Sequence, residues 1–275
     1  MVNISIVSYS PDWCQILKLT DTLLQAETVK NIYLIDNSPE EAEIDTLNNL
    51  NKNRKIHYIW NEGKDIGFSR SHNIAIRESV WQRTKYHLVI SHNIEIKAKD
   101  IDRLHYFMEH NPQVGQLLPR VADYNGQTLH LCRLLPTPFD ILKQYFLPVF
   151  IEEKRIKKNG LPASKYEQMM NVPVLNNQFM FLRTEAALKA RLLDERFKTC
   201  IAHIDMTRII HRDYLTLYIP DITIVQTSQE SPDKQLFTKR KTIVDWYRYF
   251  HKWGWILDSE RKEINQLTLQ LCMTR

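Results

Sequence analysis

Polar side chains follow the first two short apolar runs of the sequence, and they are of the types that hold a nucleotide. Ser8, Tyr9 and Ser10 come directly after the first run, and Asp36 and Asn37 come directly after the second. Carboxylates and amides at strand ends can bind ribose hydroxyls or the N–H of a base. A turn or a helix cap would also use an aspartate at position 36.

A second polar group surrounds the start of a predicted helix. Free backbone N–H groups and the positive end of the helix dipole favour phosphate there, and Arg70 adds positive charge. An ordinary capped loop would show the same pattern. The group consists of Asn61, Gly67, Arg70, Ser71 and Asn73.

His203 and Asp205 could carry proton transfer. An imidazole with a pKa of ~6.5 can act as a general base near neutral pH, and Asp205 could orient it or accept the proton itself. Both can face one cleft only if the chain is extended at His203 and the helix begins at Asp205. The alternative is a helix-cap histidine followed by an acid that stabilises the helix dipole.

The elements that would position these residues are strands that alternate with helices as far as Glu95. Repeated strand–helix units imply a parallel sheet, whose ligands bind beyond the carboxyl ends of the strands. The predicted strands are 4–7, 31–35, 56–60 and 86–90, and the predicted helices are 13–24, 40–50 and 71–80.

After Glu95 the pattern is looser. The turn signal at 123–126 predicts a hairpin between 114–118 and 128–131, and the polar segment 152–172 predicts a mobile loop or lid. The other predicted elements are strands at 179–182, 215–219 and 222–225, helices at 184–191 and 204–212, and one or two helices in the tail.

Composition excludes several classes of protein. The 275 residues include six glycines, none spaced for a dinucleotide-binding fingerprint or a P-loop. The four cysteines lie far apart, which argues against a structural zinc site or a disulfide framework. The start of the chain lacks the features of a signal peptide, and no apolar run reaches the ~18 residues of a membrane span. We therefore expect a cytoplasmic protein.

The net charge of +5 is carried by the C-terminal tail, residues 234–275, which has nine Lys/Arg against four acids and is rich in aromatic residues. Basic and amphipathic aromatic side chains together suit an anionic bilayer surface. A helix packed on the domain with a solvated basic face is the alternative. Nucleic acid is disfavoured because no recognition motif accompanies the charge.

The order of these motifs resembles glycosyltransferase family 2. The strand ends at Val7-Ser8-Tyr9 and Ile35-Asp36-Asn37-Ser38, with Asn61-Glu62-Gly63 and Gly67–Asn73, are similar to its nucleotide-sugar half. Its rhamnosyltransferase-like branch, which builds bacterial surface polysaccharides, has counterparts of Pro119-Arg120, Asn125-Gly126, Cys132-Arg133, Leu135–Pro138, Phe179–Arg183 and Leu193–Phe197.

The resemblance implies an α/β protein with the GT-A fold: a single domain with a mixed central sheet at 1–233, followed by a C-terminal helical extension at 234–275. Residues 1–95 would form the nucleotide-binding half and 96–233 the acceptor half. The donor side would comprise Ser8, Tyr9, Ser10, Asp36, Asn37, Asn61, Gly67, Arg70, Ser71, Asn73, His92 and Asn93, and the acceptor side Asn177, Gln178 and Arg208.

This chain departs from the pattern of that family at the metal and base positions. Relatives usually have a cation-binding acid where Asn93 stands and a histidine where Gln226 stands, and neutral amides are weak ligands for Mg²⁺ or Mn²⁺. The site could be metal-independent, or it could bind metal weakly through the diphosphate. Relatives also have an acidic pair where this chain has Ala202-His203, so His203 and Asp205 are the catalytic candidates.

The sequence thus predicts an inverting glycosyltransferase of bacterial surface polysaccharide assembly, such as O-antigen or capsule. By resemblance the donor would be dTDP-rhamnose or another nucleotide sugar. The acceptor would be a lipid-linked or oligosaccharide hydroxyl, with peripheral contact to the inner face of the cytoplasmic membrane. The alternative is a catalytically degenerate homologue that binds a nucleotide sugar or a partner without turnover, because acids are lost at Asn93 and Ala202.

Overall fold

The computed structural model describes residues 1–146, 161, 166–227 and 232–273. Most of the predicted lid at 152–172 lies outside the described residues. The described elements build one nine-stranded mixed sheet with helices on both faces. This is the α/β class that the sequence predicted.

The first half alternates strands and helices as expected. Strands β1 to β4 pair in parallel in the order β3-β2-β1-β4. β1 is buried along nearly its whole length, as apolar strands covered on both faces are. The elements are β1 (Val2–Ser8), α1 (Trp13–Leu24), β2 (Val29–Asp36), α2 (Ile44–Asn51), β3 (Ile56–Trp60), α3 (Phe68–Trp81) and β4 (Tyr86–Ile90).

The second half adds antiparallel strands to the same sheet. β8 joins β4 to β6, β9 runs parallel to β6, and β5 and β7 pair with β9. The elements are β5 (Ile94–Glu95), α4 (Ala98–His110), β6 (Val114–Ala122), α5 (Pro138–Phe146), β7 (Met170–Asn171), β8 (Phe179–Arg183), α6 (Thr184–Lys189), α7 (Ile201–Asp213), β9 (Leu215–Gln226), α8 (Pro232–Trp253) and α9 (Ser259–Met273).

Several predicted elements of the second half are wrong. Residues 128–131 form no strand, and Thr128 makes only an isolated bridge to Ala122. The strands predicted at 215–219 and 222–225 are one strand, β9, in which a bulge around Pro220 shifts the register against β6. Helices α4 and α5 were not predicted. Helix α7 begins at Ile201 rather than at residue 204.

Two apolar layers enclose the sheet. One contains α1 and α4, with Ile16 and Leu104 fully buried, and the other contains α6, α7 and α8. From α8, Tyr249 and Phe250 are buried in this second layer, so the C-terminal tail packs into the same core as the residues before it. Among the described residues, no helix combines the length and the apolar character that a bilayer span requires.

Candidate functional site

Asp36 organises the carboxyl ends of β1, β2 and β3. Its Oδ1 atom accepts hydrogen bonds from the Ser38 amide at 2.9 Å, the Ser38 hydroxyl at 2.5 Å and the Ser8 hydroxyl at 3.4 Å. Its Oδ2 atom accepts one from the Tyr58 hydroxyl at 2.8 Å. The side chain is completely buried. In this conformation the carboxylate is enclosed by protein donors, and contact of Asp36 with a base or ribose stays a prediction.

Asn37 links three elements next to Asp36. Its amide nitrogen donates to the Ser71 hydroxyl at 2.9 Å, which joins β2 to the first turn of α3. Its carbonyl oxygen accepts from the Asn61 amide at 2.7 Å, which joins β2 to the end of β3. The structure thus brings Asn37, Asn61 and Ser71 together at one edge of the sheet, as the sequence predicted. Tyr9 and Ser10 lie at the same edge and are exposed, and the Ser10 amide donates to the Ser38 hydroxyl.

Gly67 allows α3 to begin directly against another loop. Its φ is +85°, and a Cβ atom on it would lie 2.9 Å from the carbonyl oxygen of Lys198. The Phe68 amide donates to that same carbonyl at 3.0 Å, and the Ser69 hydroxyl donates to Phe197 O at 2.8 Å. One amide of the helix start is therefore already used by the protein, and fewer remain for phosphate than the sequence suggested.

Arg70 and Asn73 lie on a different face of α3 from Ser71. Asn73 donates to Leu193 O at 2.8 Å and accepts from the Leu193 amide at 3.1 Å. Asn73 and Arg70 also both contact the Glu195 carboxylate, at 3.1 and 3.4 Å. These two predicted phosphate-binding residues instead tie α3 to the loop that precedes α7.

Asp245 of α8 holds residues 198–199, which precede α7, in place. Its Oδ2 atom accepts from the Lys198 amide at 2.7 Å, the Thr199 amide at 2.7 Å and the Thr199 hydroxyl at 2.9 Å. The side chain is fully buried. Sequence reasoning missed this residue, although one signal was available: an aspartate four residues before Tyr249 falls on the apolar face of the helix.

The end of β4 contacts Gln178, one of the residues that the sequence analysis assigned to the acceptor side. The Ser91 amide donates to Gln178 O at 2.8 Å, and the Thr227 amide donates to Asn93 O at 2.9 Å. Asn93 is buried, His92 is half-buried, and Asn177 and Gln178 are partly exposed. The predicted donor and acceptor residues at this point are therefore neighbours. The described part of the chain contains no group of three or more His, Cys, Asp or Glu side chains placed to hold a metal ion.

His203 and Asp205 lie inside α7 and not at an extended entry to it. The expected geometry, with the chain extended at His203, is therefore wrong: residues two apart in a helix point to nearly opposite sides. The His203 ring lies between the backbone carbonyls of Cys200 and Leu175, and burial lowers the pKa of His203 to about 4. Leu175 lies three residues before Gln178, whose carbonyl accepts from the Ser91 amide.

Asp205 faces a different cavity, of about 620 Å³, lined by α3, the loop before α7, and the end of α8. Lys252 Nζ lies 2.7 Å from one carboxylate oxygen, and the Trp253 indole N–H donates to the other at 2.7 Å. Burial raises the pKa of Asp205, which the neighbouring Lys252 opposes. Both oxygens of Asp205 are therefore occupied by α8.

Arg208 is a structural residue. Its guanidinium is fully buried and makes two hydrogen bonds to Asp258, at 2.8 and 2.7 Å, and one of 2.7 Å to Glu260. It also stacks 4.0 Å from the centroid of the Trp253 ring. The prediction that Arg208 lies on the acceptor side is wrong, because this side chain pins the start of α9 to α7.

Three buried histidines (His72, His87 and His203) and the partly buried His211 lie within or next to the sheet. The Ser5 hydroxyl lies 2.8 Å from Nδ1 of His72 and 2.9 Å from Nε2 of His87, and His211 bonds a threonine hydroxyl of β9. Burial lowers the pKa of His72 and His87 to about 3, and that of His203 and His211 to about 4. All four are neutral at pH 7.

The sequence matches no family model, and no curated protein matches it. Solved structures do match. GalNAc-T7 with UDP, GalNAc and Mn²⁺ aligns with a TM-score of 0.60 and 13% identity, covering 83% of this chain and 44% of that one. TarS 1–349 of S. aureus with UDP-GlcNAc aligns with a TM-score of 0.58 and 14% identity, covering 84% and 59%.

The mannosyltransferase PcManGT of Pyrobaculum calidifontis, with GDP-Man and Mn²⁺, aligns with a TM-score of 0.52 and 13% identity, covering 84% of this chain and 58% of that one. The chain thus spans between 44% and 59% of the length of these three structures. At such identities the likeness concerns the fold alone. The fold is that of the GT-A glycosyltransferases, as the resemblance in the sequence implied.

Proposed function

We propose that this chain is an inverting glycosyltransferase that takes a sugar from a nucleotide diphosphate donor. The observation that carries the proposal is the polar cluster of Asp36, Asn37, Asn61 and Ser71 at the carboxyl edge of the parallel strands. In open α/β sheets this edge is where ligands bind. In a GT-A fold it is the natural place for the nucleotide, with Tyr9 and Ser10 as the exposed groups beside it.

The reaction is a single in-line displacement. The oxygen of an acceptor hydroxyl forms a bond to the anomeric carbon while the bond from that carbon to the diphosphate breaks, and the nucleoside diphosphate leaves on the opposite face. The hydroxyl proton passes to a base. Positioning, proton removal and stabilisation of the leaving charge are the work required of the protein.

Both predicted bases are engaged by the fold. The His203 ring lies between the carbonyls of Cys200 and Leu175, and both oxygens of Asp205 are held by Lys252 and Trp253. We propose His203 as the base. Burial lowers its pKa to about 4, so its imidazole is neutral at pH 7 but a weaker base than a free imidazole. To take the hydroxyl proton, it would have to turn a ring nitrogen from one of these carbonyls toward the acceptor. Asp205 would then act by fixing α8 against α7.

A divalent cation would find weak ligands here. Asn93 could offer one neutral amide oxygen and Gln226 another, so most of the negative charge around Mg²⁺ or Mn²⁺ would have to come from the donor diphosphate. We propose that turnover depends on metal less strongly than in GT-A enzymes with an acid at this position.

The donor proposed from the sequence is dTDP-rhamnose or a related nucleotide sugar. The proposed acceptor is a lipid-linked or oligosaccharide hydroxyl in bacterial surface polysaccharide synthesis. The enzyme would work at the inner face of the cytoplasmic membrane as a peripheral protein. Residues 234–275, with nine Lys/Arg and seven aromatic side chains, support that location.

Calorimetry and a transfer assay test the proposal. At least one of dTDP, UDP and GDP should bind, and the matching donor should give a product with inverted anomeric configuration by NMR. Asp36→Ala should weaken nucleotide binding by about 1–3 kcal/mol, because Ser8 and Ser38 lose the carboxylate that positions them. Tyr58→Phe, which leaves the carboxylate in place, is the matched control. If a folded Asp36→Ala variant binds the nucleotide as tightly as the wild type does, the nucleotide does not bind at this edge of the sheet.

A second candidate is a homologue that binds a nucleotide sugar without turnover. Ala202 and Asn93 stand where relatives have acids, and Asp205 is engaged by α8. Nucleotide binding without transfer or hydrolysis of any nucleotide sugar would favour this function over the enzyme.

A further inference from the structure

The turn between α8 and α9 exposes two consecutive apolar side chains. Ile256 is 87% exposed and Leu257 is 94% exposed, more than any other large apolar residue among those the structure describes. Isolated exposed apolar residues are common on protein surfaces, but two adjacent ones at the tip of a turn are not explained by packing.

This exposure is fixed by the fold. Gly254, with φ +102°, ends α8 and donates its amide to Phe250 O at 2.8 Å, and a Cβ atom on it would lie 2.9 Å from Leu257 O. Asp258 caps α9 by accepting from the Arg261 amide at 2.9 Å, and it is held by two hydrogen bonds from Arg208. Both ends of the turn are thus anchored to the core, and the apolar tip is held outward.

Aromatic side chains flank the tip. Tyr247 and Trp255 are 58% and 43% exposed, and their rings lie 5.6 Å apart. Trp255 also packs against Phe250 of the core, with centroids 5.4 Å apart. Amphipathic rings next to an apolar tip are the arrangement found where a protein meets the boundary between lipid headgroups and acyl chains.

Basic side chains lie on both helices that meet at the turn. Between residues 240 and 273 there are six Lys/Arg and four acids. Lys241, Arg248, Lys252 and Arg261 are paired with carboxylates of the protein. Exposed basic side chains include Arg240 on α8 and Lys262 on α9. Basic residues close to a bilayer surface are attracted by anionic headgroups.

We propose that the α8–α9 turn is a membrane-insertion site, in which Ile256 and Leu257 enter an anionic bilayer surface while Tyr247 and Trp255 lie at the headgroup level. This inference rests on the membrane location in the proposed function and assigns it to particular residues. A second copy of this chain is the competing occupant of the same apolar tip.

Vesicle sedimentation of the full chain tests the proposal. The wild type should pellet with vesicles of phosphatidylcholine and 30% phosphatidylglycerol and bind more weakly to phosphatidylcholine alone. Ile256→Ser with Leu257→Ser should weaken binding to the anionic vesicles about 100-fold, because two exposed side chains no longer gain from burial. Trp81→Ser, at a side chain that is 81% exposed elsewhere on the surface, is the matched control and should bind as the wild type does.

Equal binding by the double variant, or no binding by the wild type, would overturn the proposal. A concentration-dependent dimer in sedimentation equilibrium, lost in the double variant, would assign the turn to a second copy instead. Nucleotide affinity, measured on the same variants, should not change. A failure of membrane binding is therefore distinguishable from a failure of the proposed transferase function.

Discussion

Replacing Asp245 by alanine should destabilise the protein and also weaken donor binding. The carboxylate accepts hydrogen bonds from two backbone amides and one hydroxyl of residues 198–199, and one of 3.0 Å from Arg248. Each buried donor left without an acceptor costs about 1–3 kcal/mol, and removing one member of a buried charged network costs about 3–5 kcal/mol. Because some donors will relax toward water, we expect a loss of about 3–5 kcal/mol in the free energy of unfolding.

The effect on the donor follows from one further contact. Lys198 O accepts from the Phe68 amide and lies where a side chain on Gly67 would be, so displacing residue 198 displaces the start of α3. Nucleotide affinity should therefore fall together with stability. Asp245→Asn keeps one acceptor oxygen and should lose roughly half as much stability as the alanine variant.

Equilibrium unfolding in urea, followed by tryptophan fluorescence, measures the first effect, and calorimetry with the nucleotide measures the second. Glu263→Ala, at an exposed acid of α9, is the control and should change stability by less than about 0.5 kcal/mol. A urea midpoint for Asp245→Ala equal to that of the wild type would refute the role of the buried carboxylate. Reduced stability with unchanged nucleotide affinity would refute the link between Asp245 and nucleotide binding through the start of α3.

Four further outcomes are expected. Gly67→Ala should cost about 1–3 kcal/mol of stability and weaken nucleotide binding, because the φ of Gly67 is positive and the new methyl group would meet Lys198 O. A urea midpoint of the variant equal to that of the wild type would contradict this. Turnover of the wild type should survive EDTA, and Asn93→Asp should make turnover depend more strongly on Mn²⁺. Complete loss of wild-type turnover in EDTA would show that a metal is required. The pKa values of His72, His87, His203 and His211 are lowered in the folded state, so protons bind the unfolded chain preferentially. Below pH ~6.5 the free energy of unfolding should therefore fall by up to ~1.4 kcal/mol per pH unit for each of these four histidines. A urea midpoint that does not change between pH 7.5 and 5 would contradict this. His203→Ala should reduce turnover ~10² to 10⁴-fold and leave nucleotide affinity unchanged. In the wild type, turnover should fall at acid pH with a pKa of about 4. A fall with a pKa near 6.5 would point to another base.

The parallel half of the fold could be predicted because its signals are local. Apolar runs such as Ile4–Val7 end at polar residues, and helices of the right length separate them. The resulting edge of the sheet collects Asn37, Asn61 and Ser71 as expected. In the second half, Pro220 and Asp221 predicted a break between two strands. The structure has a single strand, β9, which continues through a bulge at this point because it pairs with β6 on both sides.

The roles of single polar residues could not be predicted, because they depend on partners far away in the sequence. For Asp36, nothing in the sequence indicated that Tyr58 and two serines would enclose its carboxylate. Arg208 was assigned to the acceptor, but Asp258, fifty residues later, neutralises it in the core. Spacing within an element indicates which face a residue lies on, and only the tertiary fold determines what that face meets.

The chain of hydrogen bonds beneath the sheet has a fixed direction. Ser79 donates its single hydroxyl proton to Ala75 O, so it must accept from the Nδ1–H of His87. A neutral His87 then has a bare Nε2, which accepts the hydroxyl proton of Ser5, and Ser5 in turn accepts from the Nδ1–H of His72. Both rings are therefore the same tautomer, and each proton in the chain has one place. An added proton on His87 would place an N–H opposite the Ser5 hydroxyl, which would then have to turn its proton to another acceptor. A proton added to His72 would go to Nε2, outside this chain of hydrogen bonds.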